Sequence, residues 1–272
     1  MTAGDGRRGV LRLGLRRGGG TTVLADSYCE APLHVQRVLG YGPVPHVCMA
    51  SSSGGILRGD EHRVEIRVGG GAAAHVTTQG ATRLYGMEGG SASQEVMVEV
   101  GEGAYLELMP DALIPYAGSR FSQRTGITVR EGGAAVYSEV VTPGRTGEEF
   151  GYDECRLETE ARDGAGGLLL LDRSRMAPAR GMGRAGVMGG AASVATVYVV
   201  APGWDARAVR DAASAAIAGA GVLGGATVSR GGAGVVARML GARADALARA
   251  AREIAGAARD MAGIPRGEIR GA

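Results

Sequence analysis

The chain contains no lysine; all thirty of its basic residues are arginine. There is therefore no Walker A lysine, no Schiff-base lysine and no kinase-type β3 lysine, and those enzyme classes drop out. Aromatic residues are scarce at 4%, with one tryptophan, Trp204, so the core has to be built from Val, Ala, Leu and Ile. The three cysteines, Cys29, Cys48 and Cys155, are odd in number and form no CxxC. They read as free thiols of a reducing cytosol rather than a disulfide framework. The four histidines, His34, His46, His62 and His75, are scattered, with no HExxH and no zinc-finger spacing. Ser53 lacks a GxSxG elbow, so a hydrolase triad has no anchor. Met1 to Arg17 carries arginines but no uninterrupted apolar stretch, which argues against a secretory signal. The most apolar run, Leu168 to Leu171, is too short to span a bilayer. A net charge of +2 does not call for nucleic acid or a membrane surface as partner. The expectation is a soluble, cytoplasmic protein.

Glycine is abundant, at 49 of 272 residues, and it punctuates the pattern. Val64, Ile66 and Val68 alternate with charged residues up to Gly69–Gly71; Val96, Val98 and Val100 keep the same period of two, around Met97 and Glu99, up to Gly101–Gly103. Ile127 and Val129 precede Gly132–Gly133, and Leu157, Thr159 and Ala161 precede Asp163–Gly164. A second strand follows each turn, so each unit reads as a hairpin with one buried face. Gly71, Gly103, Gly133 and Gly167 are spaced by 32, 30 and 34 residues, an interval suited to stacked supersecondary units. The expected fold is mainly β, with stacked hairpins forming either a β-helix-like solid or layered sheets. Ser193 to Val200 is a further strand. Asp205 caps a helix running to about Ile217, Gly219 to Gly225 breaks it, and a strand or turn falls around Thr227. Val235 to Met261 reads as helix, with Leu240, Leu247, Ile254 and Met261 seven apart and Ala244, Ala251 and Ala258 between them. That stripe is expected to dock on the chain's own sheet. The organisation is one domain over 1–272, β-rich to 203 and mixed with two helices from 204.

The chemistry-bearing candidates are sparse. His46 and Cys48 lie on one side of a strand and read first as ordinary strand residues. Arg58-Gly59-Asp60 belongs to a glycine-rich turn. Gly18 to Thr22 lacks the lysine and the following helix of a phosphate loop. Asp60, Glu61, Asp111, Glu139 and Glu148 all sit near turns. A β-solenoid carbohydrate-active enzyme pairing carboxylates such as Asp60 and Glu139 is the alternative function, decided by their separation.

One ordered set of motifs says more. Gly54-Gly55-Ile56-Leu57-Arg58-Gly59-Asp60 leads through a strand to Thr77-Thr78-Gln79-Gly80-Ala81-Thr82-Arg83-Leu84-Tyr85. Leu106 to Pro110, Ile114-Pro115-Tyr116, Ser119 to Gln123, Glu139, and the Gly144-Arg145-x-Gly147-Glu148-x-Phe150 turn follow. Val236 to Gly241 and Pro265-Arg266 come near the end. This order resembles the UreD (UreH) family of urease accessory proteins, with Glu61 and His62 standing where the family often has a basic residue. The resemblance implies a non-enzymatic β-rich scaffold that binds UreF, through it the GTPase UreG, and apo-urease, in a dimeric hetero-assembly that assists nickel insertion. It implies no tightly bound cofactor, only transient nickel on weak oxygen ligands, with Asp60, Glu61 and Glu139 as candidates. Structural or partner-binding roles fall to Gly54, Gly55, Gly59, Thr77, Thr78, Gln79, Tyr85, Pro110, Tyr116, Ser119, Gln123, Arg145 and Glu148. A further reading gives the chain a tight nickel site of its own at His46 and Cys48.

Overall fold

Alternation decides which side of each strand meets the core. In Glu61–Val68, for example, His62, Val64, Ile66 and Val68 are buried while Glu61, Arg63 and Arg67 face solvent. A computed structural model describes residues 6–39 and 44–265; Arg266, the last residue of the quoted motifs, lies outside the described residues. The chain begins with β1 (Arg8–Gly18), β2 (Thr21–Glu30), β3 (Leu33–Leu39) and β4 (His46–Ser51). It continues through β5 (Glu61–Val68), β6 (Ala73–Thr78), β7 (Thr82–Leu84), β8 (Ala92–Val100), β9 (Tyr105–Met109) and β10 (Leu113–Pro115). Then come β11 (Arg120–Val129), β12 (Ala134–Val141), β13 (Glu154–Asp163), β14 (Leu168–Met176) and β15 (Ser193–Val200). Helix α1 (Ala206–Gly219), β16 (Leu223–Val228), β17 (Gly234–Gly241) and helix α2 (Ala244–Met261) complete it.

Two sheets face each other. One runs β14-β13-β11-β8-β5-β1-β2, and the other β16-β17-β15-β12-β9-β6-β4-β3, with β7 and β10 beside it. Within the first, β1, β5, β8, β11 and β13 are parallel; within the second, β4, β6, β9 and β12 are parallel. The chain therefore climbs like a solenoid, laying one strand in each sheet per rung. The mainly β fold with solenoid-like stacking and two helices near the C-terminus is as expected.

The hairpins need correction. β5 and β6, β8 and β9, and β11 and β12 do not pair with each other; each glycine turn carries the chain from one sheet to the opposite one. Only β13 and β14 form a true antiparallel hairpin among these four units. A hairpin and an arch between sheets share the same alternation and the same turn residues, because both bury one face of each strand.

Stacking in register turns the sequence pattern into rows. Leu13, Ile66, Val98, Ile127 and Ala161 stand side by side across the first sheet. Opposite them, Val47, Val76, Leu108, Tyr137 and Tyr198 make a row of the second. These rows interleave as one core. The outward face of the first sheet is a lattice of exposed Arg–Glu pairs, such as Arg63 with Glu95 and Arg124 with Glu158, each of little value to stability.

The second correction concerns the C-terminal part. Val235 to Leu240 is not helix but strand β17, antiparallel to β15, with Val235, Ala237 and Met239 buried. Helix begins only at Ala244, after Gly241. From there Leu247, Ala251, Ile254 and Ala258 pack on the outer face of the second sheet as expected, while Met261, the last residue of the stripe and of the helix, is exposed. Asp205 caps α1, accepting hydrogen bonds from the Arg207 and Ala208 amides.

Candidate functional site

One inward row of the first sheet is polar. His62, Gln94, Gln123 and Leu157 are register neighbours on β5, β8, β11 and β13. They continue the same alternating phase as the valines and isoleucines, so the backbone aims them into the sandwich. Tyr137 and Glu139 face them from β12. Side chains this polar do not fill the space as Val and Ile do elsewhere, and a cavity of about 450 Å³ remains, lined by Gln79, Gln94, Gln123, Tyr137 and Glu139 among others.

Apart from His62, the polar groups are hydrogen-bonded to one another, as burial requires. Gln94 Nε2 donates to Gln123 Oε1 at 3.0 Å, and Gln123 Nε2 donates to the Tyr137 hydroxyl at 2.7 Å. Tyr137 and Thr159 donate to Glu139 Oε1, each at 3.0 Å, and Tyr198 lies 3.2 Å from Glu139 Oε2. The Tyr198 hydroxyl is also 2.9 Å from Asp172 Oδ2, which the Arg238 guanidinium engages at the sheet edge. The Tyr137 and Tyr198 rings stack with centroids 5.8 Å apart. A chain of polar contacts thus crosses the interior from β8 to β17.

Glu139 is the pivot. It is 7% exposed, and burial lifts its carboxyl to about 7, against the hydroxyl donors that favour the charged form. It also lines a second cavity, of about 440 Å³, with Leu157, Met176, Met182, Met188 and Arg238. Glu139 lines both cavities, of which one lies on the Thr78–Arg83 side of the sandwich and the other toward the β14 and β16 edge. Cys155 packs nearby, fully buried, its thiol pushed up to about 12 by that burial and by Glu139 and Glu154.

Asp60 and Glu61 are placed elsewhere. Asp60 is buried but lines neither cavity; its carboxylate accepts from the Arg7 and Leu57 amides, both at 2.9 Å, and so ties the N-terminal strand to the turn before β5. His62 stands 4.0 Å from it, with its Nε2 buried and unpartnered among the described residues. Glu61 is exposed on the outer face, against Arg8 at 3.3 Å. Of the three acids proposed for an ion path, only Glu139 lines these two cavities; Glu61 lines a wider cleft of about 1070 Å³ that shares His62, Gln94 and Gln123 with the first.

The remaining motif residues gather at one end of the sandwich. Thr77 donates to the Met109 carbonyl at 2.7 Å, and Thr78 accepts from the Asp111 amide at 2.9 Å. Gln79 and Pro110 line the larger cavity. Tyr85 meets Tyr116 edge-on at 5.1 Å, Arg145 lies over the Tyr116 ring at 5.8 Å, and Arg145 pairs with Glu148 at 3.5 Å. Gly55 makes this possible: a Cβ there would fall 2.6 Å from the Tyr85 ring. Gly54 and Gly59 hold positive φ in the preceding turn. Ser119 is completely buried; its carbonyl accepts from Asp153 while its Oγ has no partner among the described residues.

A second buried polar cluster went unrecognised in the sequence. Glu107 on β9 accepts from Tyr105 at 2.9 Å, from Arg259 Nε of α2 at 2.7 Å, and lies 2.7 Å from His75 Nδ1. Burial pulls its carboxyl upward, but the hydrogen bonds from His75 and Arg259 and the arginine charge outweigh it and hold the group down at about 2. His46 stacks on His75 with centroids 4.6 Å apart, and burial, then His75 and Arg259, hold it near 4. The one available signal was Arg259 beside the alanine stripe of α2. Cys48, on the same strand as His46, is turned to Gln36 at 3.5 Å.

Comparison with known proteins supplies the context. A family model described as UreD urease accessory protein matches residues 7–269. A urease accessory protein UreD of Cenarchaeum symbiosum is 42% identical over 248 residues, covering 88% of this chain and 87% of its own. One from Haloarcula marismortui is 36% identical over 246 residues, covering 88% and 82%. A urease accessory protein UreD 2 of Streptomyces griseus is 35% identical over 231 residues, covering 81% and 78%.

Proposed function

Because this chain belongs to the UreD urease accessory protein family, we propose that it is a non-catalytic cytoplasmic scaffold of urease maturation whose interior conducts nickel toward apo-urease. Its partners in this reading are UreF, the GTPase UreG held through UreF, and the urease structural subunits, in a dimeric hetero-assembly. The observation that supports the path is that Glu139 lines both interior cavities. A cargo ion has to be bound weakly enough to leave, so single carboxylate, hydroxyl and amide oxygens suit it better than a cage of His and Cys. Among the described residues no group of three or more His, Cys, Asp or Glu is placed to hold an ion. Asp60 and Glu61, which line neither of the two cavities that Glu139 lines, have structural and surface roles in this reading.

The paired-carboxylate hydrolase has no support in the geometry, since Asp60 is committed to backbone amides and does not share a cavity with Glu139. The test is co-expression of apo-urease with its accessory proteins and nickel. Glu139→Ala should lower urease activation while partner capture by this chain is retained. Normal activation by Glu139→Ala removes the path; activation that proceeds equally well without this chain removes the scaffold.

A further inference from the structure

We infer that the outer face of the second sheet carries a divalent-cation site, formed by His46 and His75, for a borderline ion of the nickel and zinc class. The two residues are register partners on the parallel strands β4 and β6, and so project from the same face of the sheet. Their rings lie 4.6 Å apart between centroids and tilt by 30°, so a rotation of the ring not held by a hydrogen bond, that of His46, would be needed to turn a nitrogen of each toward one ion. Imidazole suits such ions.

The support behind His75 is what separates this pair from two rings that merely stack. Glu107, held by Arg259 and Tyr105, can only accept a hydrogen bond, so the proton between it and His75 belongs to Nδ1. In the neutral ring, the form that binds a metal, the lone pair is then on Nε2. A carboxylate that orients a histidine through its far ring nitrogen is the outer shell that metal-ligating histidines ordinarily have. Among the described residues His75 Nε2 and both His46 nitrogens have no hydrogen-bond partner, and His75 keeps 18% of its side chain open to solvent. The Arg259 charge beside the pair is met by Glu107, so the approaching cation does not face an uncompensated guanidinium. Cys48 is not a ligand here: its thiol is turned to Gln36. With no third protein group in place among the described residues, water completes the shell, and the site is weak and exchangeable. It lies apart from the interior cavities and stands whether or not they conduct nickel.

The test uses the untagged full chain, titrated with Ni²⁺ alone and, separately, loaded with Cu²⁺ for electron paramagnetic resonance. Nickel affinity should fall by roughly 10- to 100-fold or more in His46→Ala and in His75→Ala, at least what loss of an outer-shell partner costs. Cys48→Ala should leave this binding event unchanged. The wild-type Cu²⁺ spectrum should show coupling to two imidazole nitrogens, reduced to one in His46→Ala. His46→Ala removes no hydrogen bond to the described residues, and a thermal melt checks that it folds. Nickel binding unchanged in both histidine variants overturns the inference, and so does a wild-type Cu²⁺ spectrum without imidazole coupling, which needs no variant.

Discussion

Gln123 donates to the Tyr137 hydroxyl at 2.7 Å, and the bond spans the gap between the two sheets although the residues are only fourteen apart in the chain. The arch from β11 to β12 places them face to face. The same contact fixes the Tyr137 ring over the cavity and directs its hydroxyl hydrogen to Glu139. One hydroxyl therefore serves both the joint between the sheets and the polarity of the interior.

Tyr137→Phe should destabilise the fold by about 1–3 kcal/mol, because a buried amide and a buried carboxylate each lose a partner while the apolar packing is kept. Urea unfolding followed by circular dichroism measures this. No loss of stability would mean that water in the cavity already serves both groups.

Glu139 gives the fold an unusual pH dependence. Its folded pKa of about 7 stands above the ordinary value of 4.5, so the folded state binds this proton more tightly than the unfolded chain does. The linked stability is therefore present at low pH and is lost as pH rises from about 4.5 through 7. Relative to Glu139→Gln, the wild type should carry a penalty of about 3 kcal/mol at pH 8 and under about 1 kcal/mol at pH 5. Paired denaturant titrations at the two pH values read the change in that difference. A difference independent of pH would place the carboxyl at an ordinary pKa.

How much of this was legible in the sequence depends on the element. Alternating valines announced β5, β8 and β11 because one face of each is apolar, and Asp205 marked the start of α1 by the chemistry of its cap. The destination of each strand after its turn was not legible, since a hairpin and an arch demand the same local pattern. β17 was read as helix because Leu240 and Leu247 happen to be seven apart; the β-branched Val235 and Val236, and Gly241, were the better guide. In the site, Gln94, Gln123, Thr125 and Glu139 each occupy an inward phase of an alternating strand. That oddity is visible once the phase is written out, but only the register shows that they meet. Asp60 was picked for its place in a turn, and the turn is what uses it.

Gly55→Ala should be poorly tolerated although the residue has no side chain and no unusual role of its own. The added carbon would lie 2.6 Å from both the Tyr85 ring and the Arg83 carbonyl, and the carbonyl belongs to the backbone that pairs with Ile56. Forcing atoms into packed space of this kind costs about 1–3 kcal/mol. The predicted signature is a lowered melting temperature together with weaker partner capture, as the Tyr85–Tyr116–Arg145 cluster shifts. Gly80→Ala, where a Cβ would meet nothing within 4 Å, is the control and should be near neutral.

The Glu107–Arg259 pair should be costly to break and cheap to replace. Glu107→Ala leaves a guanidinium buried against the sheet with its main partner gone, a loss of about 3–5 kcal/mol; Glu107→Leu with Arg259→Met, which removes both charges and keeps volume, should cost far less. Acid acts on the same pair. Glu107 is held at about 2, below its ordinary 4.5, so its contribution is complete above about 4.5 and disappears as pH falls toward 2. Because the pair fastens α2 to β9, its loss should loosen the helix before the sheets. Hydrogen exchange at pH values stepping down through that window should show the amides of α2 losing protection first, ahead of those of β8 and β11. If all three elements open together, the pair contributes to global stability without governing the helix.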